Sequence, residues 1–394
     1  MVKKIENALI VSLNRGRGSG LTFAQHVDTI HESLNASAHI VSSELPKQII
    51  NAPYNFHQVN LGGKPIPVHE FLPTCHSQIE ANKLSAVEAE EYINDYRQVV
   101  EKVVTTYKPE IMILHHANLS TVAAAESAKK SKTPYVVYVH GTCMDGYIDN
   151  ENRDPTLWNR ILASLEKANF LITASQYVRN SLVLPHINYP ENKVVVIPPH
   201  LDDNFDRLSG EMNIIESEEQ QKSVVYVGSM IESKGPQVLA EASAWYSDLA
   251  QTIFIGDGAL ALLIEAKGKN VSVKGFISEQ EKVDILKSAS VVVVPSQKNE
   301  HFGITVIEGM ASCGVVIVPN YGGISEILED GRTGIKIDCK NSVHLGKAVK
   351  TLLEDEELRL RIRKNAKTSV RKNFSKGPIQ TKIRTVLENS LLNI

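Results

Sequence analysis

Cysteine is scarce in this chain. The four present, Cys75, Cys143, Cys313 and Cys339, have none of the close spacings of a zinc site or a redox pair. Free thiols in a reducing, cytoplasmic setting are the expectation. Long apolar runs are missing too: no stretch approaches the roughly 18 apolar residues of a membrane span. The opening MVKKIENALIVSLN has too short an apolar run for a secretory signal. Nor is there an excess of one charge, and a net charge of -3 calls for no nucleic-acid partner. What is present is ordinary globular material, 42% hydrophobic and 22% charged over 394 residues. That length exceeds one ordinary core and suits two domains of about 200 residues each.

The most informative stretch is VVVVPSQKNEHFGITVIEGMASCGVVIVPNYGG, residues 291–323. Four valines in succession, Val291 to Val294, predict a strand buried on both faces, as in a parallel sheet covered by helices. Pro295 and Ser296 end it. A polar loop follows, and Gly303 opens a segment in which Ile304, Ile307, Met310 and Ala311 recur at helical spacing. Two carboxylates, Glu300 in the loop and Glu308 about one turn inside the helix, then converge on the carboxyl end of a parallel strand, where open α/β sheets bind ligands. The N–H groups of Gly303, Ile304 and Thr305 form a helix N-terminus suited to an anion. Phosphate at the helix end, with carboxylates accepting from hydroxyls, fits a nucleotide sugar.

Glu, seven residues, Glu, with Phe302-Gly303 after the first and Gly309-Met310-Ala311 after the second, resembles the signature of family-4 retaining glycosyltransferases of the GT-B fold. The resemblance implies an α/β architecture of two Rossmann-like βαβ domains facing each other across a cleft. It also implies that Glu300 faces the donor sugar's hydroxyls and that Glu308 holds the ribose hydroxyls. Further matches follow in order along nearly the whole chain. The loop Gly228 to Gly235 resembles one whose two cations bind the donor diphosphate. Lys234 matches, but Ser229 stands where the family has arginine. Phe276 lies in the turn where the family's backbone reads the nucleobase. Gly322-Gly323 falls where family members put glycines near the donor sugar and phosphates.

In the first half, Ala8 to Leu13 predicts a strand, and NRGRGSG a glycine-rich turn before a helix from about Leu21. Its glycines fall at 16, 18 and 20, which fails the dinucleotide fingerprint. By resemblance this turn closes over the donor phosphates and helps shape the acceptor site. Gly18 and Gly20 would allow close backbone approach, with Arg15 and Arg17 as phosphate partners. Residues 43–82 are broken by five prolines and predict a variable acceptor-side region. Successive βα units follow, and His140 ends one of their strands, where it resembles the family's active-site histidine. His115 and His116, ending the preceding strand, are acceptor-side candidates.

The expected domains are residues 1–200 on the acceptor side, a polar linker over 201–222, a donor-binding domain over 223–376, and a last helix, 377–394, returning to the first domain. Asp202-Asp203-Asn204 imitates an acidic metal motif but falls in the linker, so no metal is expected. Seven cations between Arg359 and Lys372 predict a basic helix with a solvated face or, alternatively, a peripheral contact with an anionic inner membrane surface.

The implied reaction is transfer of a hexose from a nucleoside diphosphate to an acceptor hydroxyl on a glycan, a lipid-linked saccharide or a small molecule, with His140, Lys234 and Glu300 as the catalytic set. The nucleotide sugar is a co-substrate and no cofactor is expected. Polysaccharide biosynthesis is the setting this suggests. Three other readings stay open: a sugar-nucleotide epimerase of the same fold, a nicotinamide-dependent dehydrogenase, and a non-catalytic nucleotide- or glycan-binding module.

Overall fold

The computed structural model describes residues 4–13, 17–44, 52–68, 77–210, 222–267, 270–312 and 314–392. The chain forms two compact units, Met1–Pro199 with Ile379–Ile394, and His200–Pro378.

In the first unit, β1 (Asn7–Val11) leads into α1 (Arg17–Leu34), followed by β2 (Ser37–Ser42) and β3 (Tyr54–Gln58). A small parallel pair, β4 (Ile66–Val68) and β5 (Gln78–Glu80), precedes α2 (Ala86–Tyr107). Then come β6 (Ile111–His115), α3 (Leu119–Ser131), β7 (Tyr135–Val139), α4 (Thr142–Ile148), α5 (Pro155–Glu166), β8 (Phe170–Thr173) and β9 (Val194–Val196). The seven strands of the main sheet run in the order β3-β2-β1-β6-β7-β8-β9, every pair parallel. Their apolar runs are buried because helices cover both faces. Local chemistry sets the helix starts. Ser85 and Glu88 form a reciprocal capping box at α2, and Asp154 caps α5 ahead of Pro155. Arg97 and Arg160 each pair with both Glu90 and Glu126, tying α2, α3 and α5 together.

The second unit opens with α6 (Asp203–Gly210), then β10 (Ser223–Val227), α7 (Pro236–Ala242), β11 (Gln251–Ile255), α8 (Ala261–Glu265), β12 (Val271–Val273) and α9 (Glu279–Ser288). Next are β13 (Val291–Val293), α10 (Ile304–Ala311), β14 (Val315–Pro319), β15 (Ile335–Ile337), α11 (Ser342–Glu354), α12 (Glu356–Phe374) and α13 (Lys376–Leu392). The sheet order is β12-β11-β10-β13-β14-β15, all parallel. Strand order reverses between β10 and β13, so loops on opposite headings diverge there and leave a ligand crevice at the strands' carboxyl ends. From Ile379 onward α13 belongs to the first unit, where Ile379, Ile383 and Leu387 are buried and Gln380 donates to Glu32 at 2.8 Å.

Four expectations change. Helix α1 begins at Arg17, so Gly18 and Gly20 sit in its first turn rather than in the loop; Arg15 lies outside the described residues. The linker reading fails over 203–210, because the Asp202 carboxylate accepts from the amides of Asn204 and Phe205 and starts a helix that buries Phe205 and Leu208. Among the successive βα units expected in this half, the one after β8 runs through a π-helical segment, Val178–Val183, rather than an α-helix. On α12, Arg359, Arg363 and Lys367 are buried, and Arg359 donates to the carbonyls of Leu352 and Leu353, the last turn of α11. The solvated basic face is therefore only part of that helix, carried by the exposed Arg361, Lys364, Arg371 and Lys372. Cys143 and Cys339 are buried free thiols, while Cys75 and Cys313 lie outside the described residues. Among the described residues no helix is long and apolar enough to cross a membrane.

Candidate active site

Glu300 is reached from three directions. The valines of β13 fix the strand, Ser296 follows it, and the Ser296 hydroxyl donates to Glu300 Oε1 at 2.7 Å. Lys234, from the loop after β10, places Nζ on the same oxygen at 2.7 Å. The amide of Gly323 donates to the Glu300 carbonyl at 2.7 Å, and Tyr321 holds the Ser296 carbonyl at 2.7 Å. Burial pushes the Glu300 carboxyl up, but Lys234, the Ser296 hydroxyl and the nearby His301 together outweigh it and hold it below the ordinary range. Glu300 is therefore an anion with a cation already in place.

Two glycines make this approach possible. Gly235 has φ +71°, and a Cβ there would lie 2.0 Å from the Pro295 carbonyl oxygen. Gly322, at φ +70°, would put a Cβ 3.0 Å from the Glu300 amide. Gly331 shares the dihedral, at φ +65°, but has open space around it. Gly331→Ala should thus lose only about 1–2 kcal/mol, the left-handed strain of a non-glycine residue. Gly235→Ala should lose clearly more, and turnover with it, because the loop carrying Lys234 must move; paired thermal-unfolding and activity assays check this.

Glu308 lies in α10, buried, with Lys282 Nζ 3.0 Å away. Lys282 comes from α9, also pairs with Glu279 at 2.7 Å, and lies 5.3 Å from the centroid of the Phe205 ring. Burial raises the Glu308 carboxyl; Lys282 offsets this in part, while Asp202 and Glu279 add to it. On Lys282 burial works downward, but Glu308 and Glu279 prevail and the ammonium is held firmly charged. The two partners thus differ: the pair stabilises the cation more than the anion, since two further carboxylates surround it.

Gly303 caps α10 with φ +119° and no side-chain cap, and Phe302 is buried beside it. The backbone N–H groups of Ile304 and Thr305 open this eight-residue helix. Gly228 and Ser229 follow β10, and the Tyr226 hydroxyl donates to the Ser229 carbonyl at 2.7 Å. A Cβ at Gly228 would meet that hydroxyl at 2.9 Å. Ser229 thus presents a short side chain in the loop after β10, and its carbonyl is braced by Tyr226. Phe276 is 57% exposed in the turn after β12. Sequence reasoning missed Ser296, Tyr226, Tyr321 and Lys282. Ser296 had a signal, following Pro295 at the strand end; a lysine in a polar helix had none.

In the first unit, His115 ends β6 and His140 follows β7, while His116 has φ +72°. His115 and His116 are only 1% and 4% exposed. These acceptor-side candidates thus lie buried beside the half-buried His140: β6 is a central strand, Phe23 and His26 of α1 pack on His115, and α3 follows the strand. Gly20 is buried in α1; Arg17 is that helix's first residue.

With this geometry in place, relatives become informative. The profile of "Glycosyl transferases group 1" matches residues 210–369, and that of "Glycosyltransferase Family 4" matches residues 84–205. This chain belongs to that glycosyltransferase family. The glycosyltransferase is 24% identical over 376 residues to N-acetyl-alpha-D-glucosaminyl L-malate synthase of Bacillus anthracis, covering 91% of this chain and 95% of the relative. Over 152 residues, 36% of the chain and 39% of the relative, it is 32% identical to alpha-D-kanosaminyltransferase of Streptomyces kanamyceticus. Its fold matches a glycosyltransferase of Rickettsia africae with a TM-score of 0.76 at 16% identity, each chain fully covered. HepE of Anabaena, solved with UDP, matches with a TM-score of 0.72 at 15% identity over 97% of this chain and 99% of its own. The fold of this glycosyltransferase is GT-B.

Proposed function

We propose that this glycosyltransferase moves a hexose from a nucleoside-diphosphate sugar to an acceptor hydroxyl with retention at the anomeric carbon. The observation that carries the reading is the Lys234–Glu300–Ser296 cluster beside the N-terminus of α10, at the strand-order reversal of the second unit. The chemical difficulty is charge. The departing diphosphate gains negative charge while the sugar becomes oxocarbenium-like. Lys234 and the α10 amides supply preorganised positive potential for the diphosphate. Glu300, kept ionised, accepts from sugar hydroxyls, and Glu308 accepts from the ribose. His140 orients the sugar or the acceptor hydroxyl. Attack comes from the leaving-group face, and the departing phosphate oxygen takes the acceptor's proton, so no enzyme nucleophile is consumed. Trapping a glycosyl-enzyme would overturn this step.

A sugar donor with UDP is the first choice, because HepE was solved with UDP and the Bacillus anthracis relative is named for an N-acetylglucosaminyl transfer. The acceptor class is a glycan, a lipid-linked saccharide or a small hydroxy acid, the last favoured by that relative's name. No metal is required in this scheme, so activity should survive EDTA. The deciding measurement is thermal shift and nucleotide release with UDP-, GDP-, ADP- and TDP-sugars. Stabilisation by one nucleotide class, with sugar transferred to an added hydroxyl, is the expected result. Epimerised sugar or free nucleotide formed rapidly without any acceptor would favour an isomerase instead.

A further inference from the structure

The first unit holds three imidazoles in one hydrogen-bonded row. His26, buried in α1, places Nδ1 at 3.1 Å from His115 Nε2, and His115 places Nδ1 at 3.0 Å from His140 Nε2. The row is rigid. His115 packs against the rings of Phe23 at 5.1 Å and His26 at 4.9 Å. His140 lies between the rings of His116, 4.2 Å away and nearly parallel, and Tyr138, 4.7 Å away. Tyr138 is itself fixed by its hydroxyl donating to the Ile197 carbonyl at 2.8 Å. His116 is pinned through its amide to the Tyr138 carbonyl and through its carbonyl to Thr121. Its Nδ1 lies 3.5 Å from Cys143 Sγ of α4.

An imidazole between two others has an unusual constraint. Neutral, it owns one ring proton, so one nitrogen donates and the other accepts. Burial holds His115 neutral, its tendency to protonate pushed far down, with the neighbouring His26 and His116 adding to the effect. Each contact in the row therefore has a direction, and the two directions are linked. If His115 Nδ1–H donates to His140 Nε2, its Nε2 accepts from His26 Nδ1–H, and neutral His140 carries its proton on Nδ1. If His140 Nε2–H donates to His115, then His115 Nε2–H donates to His26, and His140 Nδ1 is an acceptor. Each reversal shifts one proton across each of the two bonds; one proton enters at His26 Nε2 as one leaves His140 Nδ1.

We propose that His115, backed by His26, is a positioning residue that sets the tautomer of His140 and so decides whether His140 Nδ1 offers a proton or a lone pair to a hydroxyl. This rests on the reading of His140 as a transfer-site residue; the coupling itself does not. Titratable groups facing the row are His26 from α1, His116 at the end of β6, Tyr138 from β7, and Cys143 from α4 through His116.

The test is ¹⁵N spectroscopy of the full-length protein labelled at histidine, together with donor turnover. Wild type should show His140 in one tautomer, with nitrogen–nitrogen coupling across both N–H···N contacts. In His115→Phe, which keeps the ring's bulk, His140 should become a tautomer mixture. There kcat should fall about tenfold, the loss of one oriented hydrogen bond, with donor KM unchanged. His115→Gln, which can donate and accept, should recover a single tautomer and most of kcat. An unchanged His140 spectrum in His115→Phe, or no coupling across the wild-type contacts, would overturn the proposal; the second measurement needs no variant that folds. If wild type transfers no sugar, the transferase reading fails while the nitrogen spectra still decide the coupling.

Discussion

Lys234→Ala is expected to lower kcat for sugar transfer by about 10²–10³, the usual cost of removing one preorganised charge donor from a transition state. The expectation is steeper here than for an ordinary lysine for two reasons. Ser229 stands where the family has a second cation, so within the loop after β10 Lys234 alone carries a positive charge toward the leaving group. Lys234 also neutralises Glu300 at 2.7 Å, so removing it leaves that carboxylate supported by the Ser296 hydroxyl and the nearby His301. Without Lys234 the largest downward influence on the Glu300 carboxyl is gone and burial pushes it up. The kcat remaining in Lys234→Ala, read at saturating donor, should then acquire an acid limb that wild-type kcat lacks. Lys234→Arg is the control: it keeps the charge but changes its shape, and should lose less. Near wild-type kcat in Lys234→Ala would remove the lysine from the transfer chemistry.

Glu308→Gln should raise the donor dissociation constant about 10- to 100-fold, the range for hydrogen bonds to a charged acceptor. Its effect on pH dependence is more diagnostic. Burial holds the wild-type carboxyl above the ordinary glutamate range, whereas Glu300 is held below it. As pH falls, Glu308 therefore takes a proton first and stops accepting fully from ribose hydroxyls while Glu300 is still ionised. Donor affinity in wild type should weaken as pH falls through the raised Glu308 value, above the ordinary glutamate range, and Glu308→Gln should be weak but flat there. Folding stability responds through the same group with the opposite sign. A folded carboxyl that binds its proton above the unfolded value contributes stability as pH falls through the interval between the two, and that contribution is lost as pH rises through the folded value. Titrating nucleotide binding and thermal midpoint side by side separates the two effects. A pH-independent affinity in wild type would mean that Glu308 does not hold the ribose.

Burial gives Glu308 this behaviour and Lys282 moderates it, and nothing in the local sequence marks that lysine. It reaches the carboxylate only because α9 and α10 flank β13, the strand between them in the chain. The same holds for Tyr226 and Tyr321, whose hydroxyls brace the Ser229 and Ser296 carbonyls. Such residues act through a neighbour, so their types carry no chemical signature of their own.

By itself the sequence determined what depends on neighbours along the chain. The valine run made β13 a buried parallel strand, and the Glu, seven residues, Glu spacing put one carboxylate in a loop and one on the following helix. Glycines at 235, 303 and 322 were legible as loop and helix-start positions; their positive φ is a property of the folded chain. It misread what depends on caps and distant packing: Asp202 starts a helix where a polar linker was expected, and three of the α12 cations, Arg359, Arg363 and Lys367, turn inward. Tertiary structure alone decided the partnerships. A parallel sheet joins strands far apart in sequence, so Lys234 meets Glu300 across 66 positions and His115 meets His26 across 89. Those contacts arise from strand order and helix packing, and no local pattern of residues encodes the distance they close.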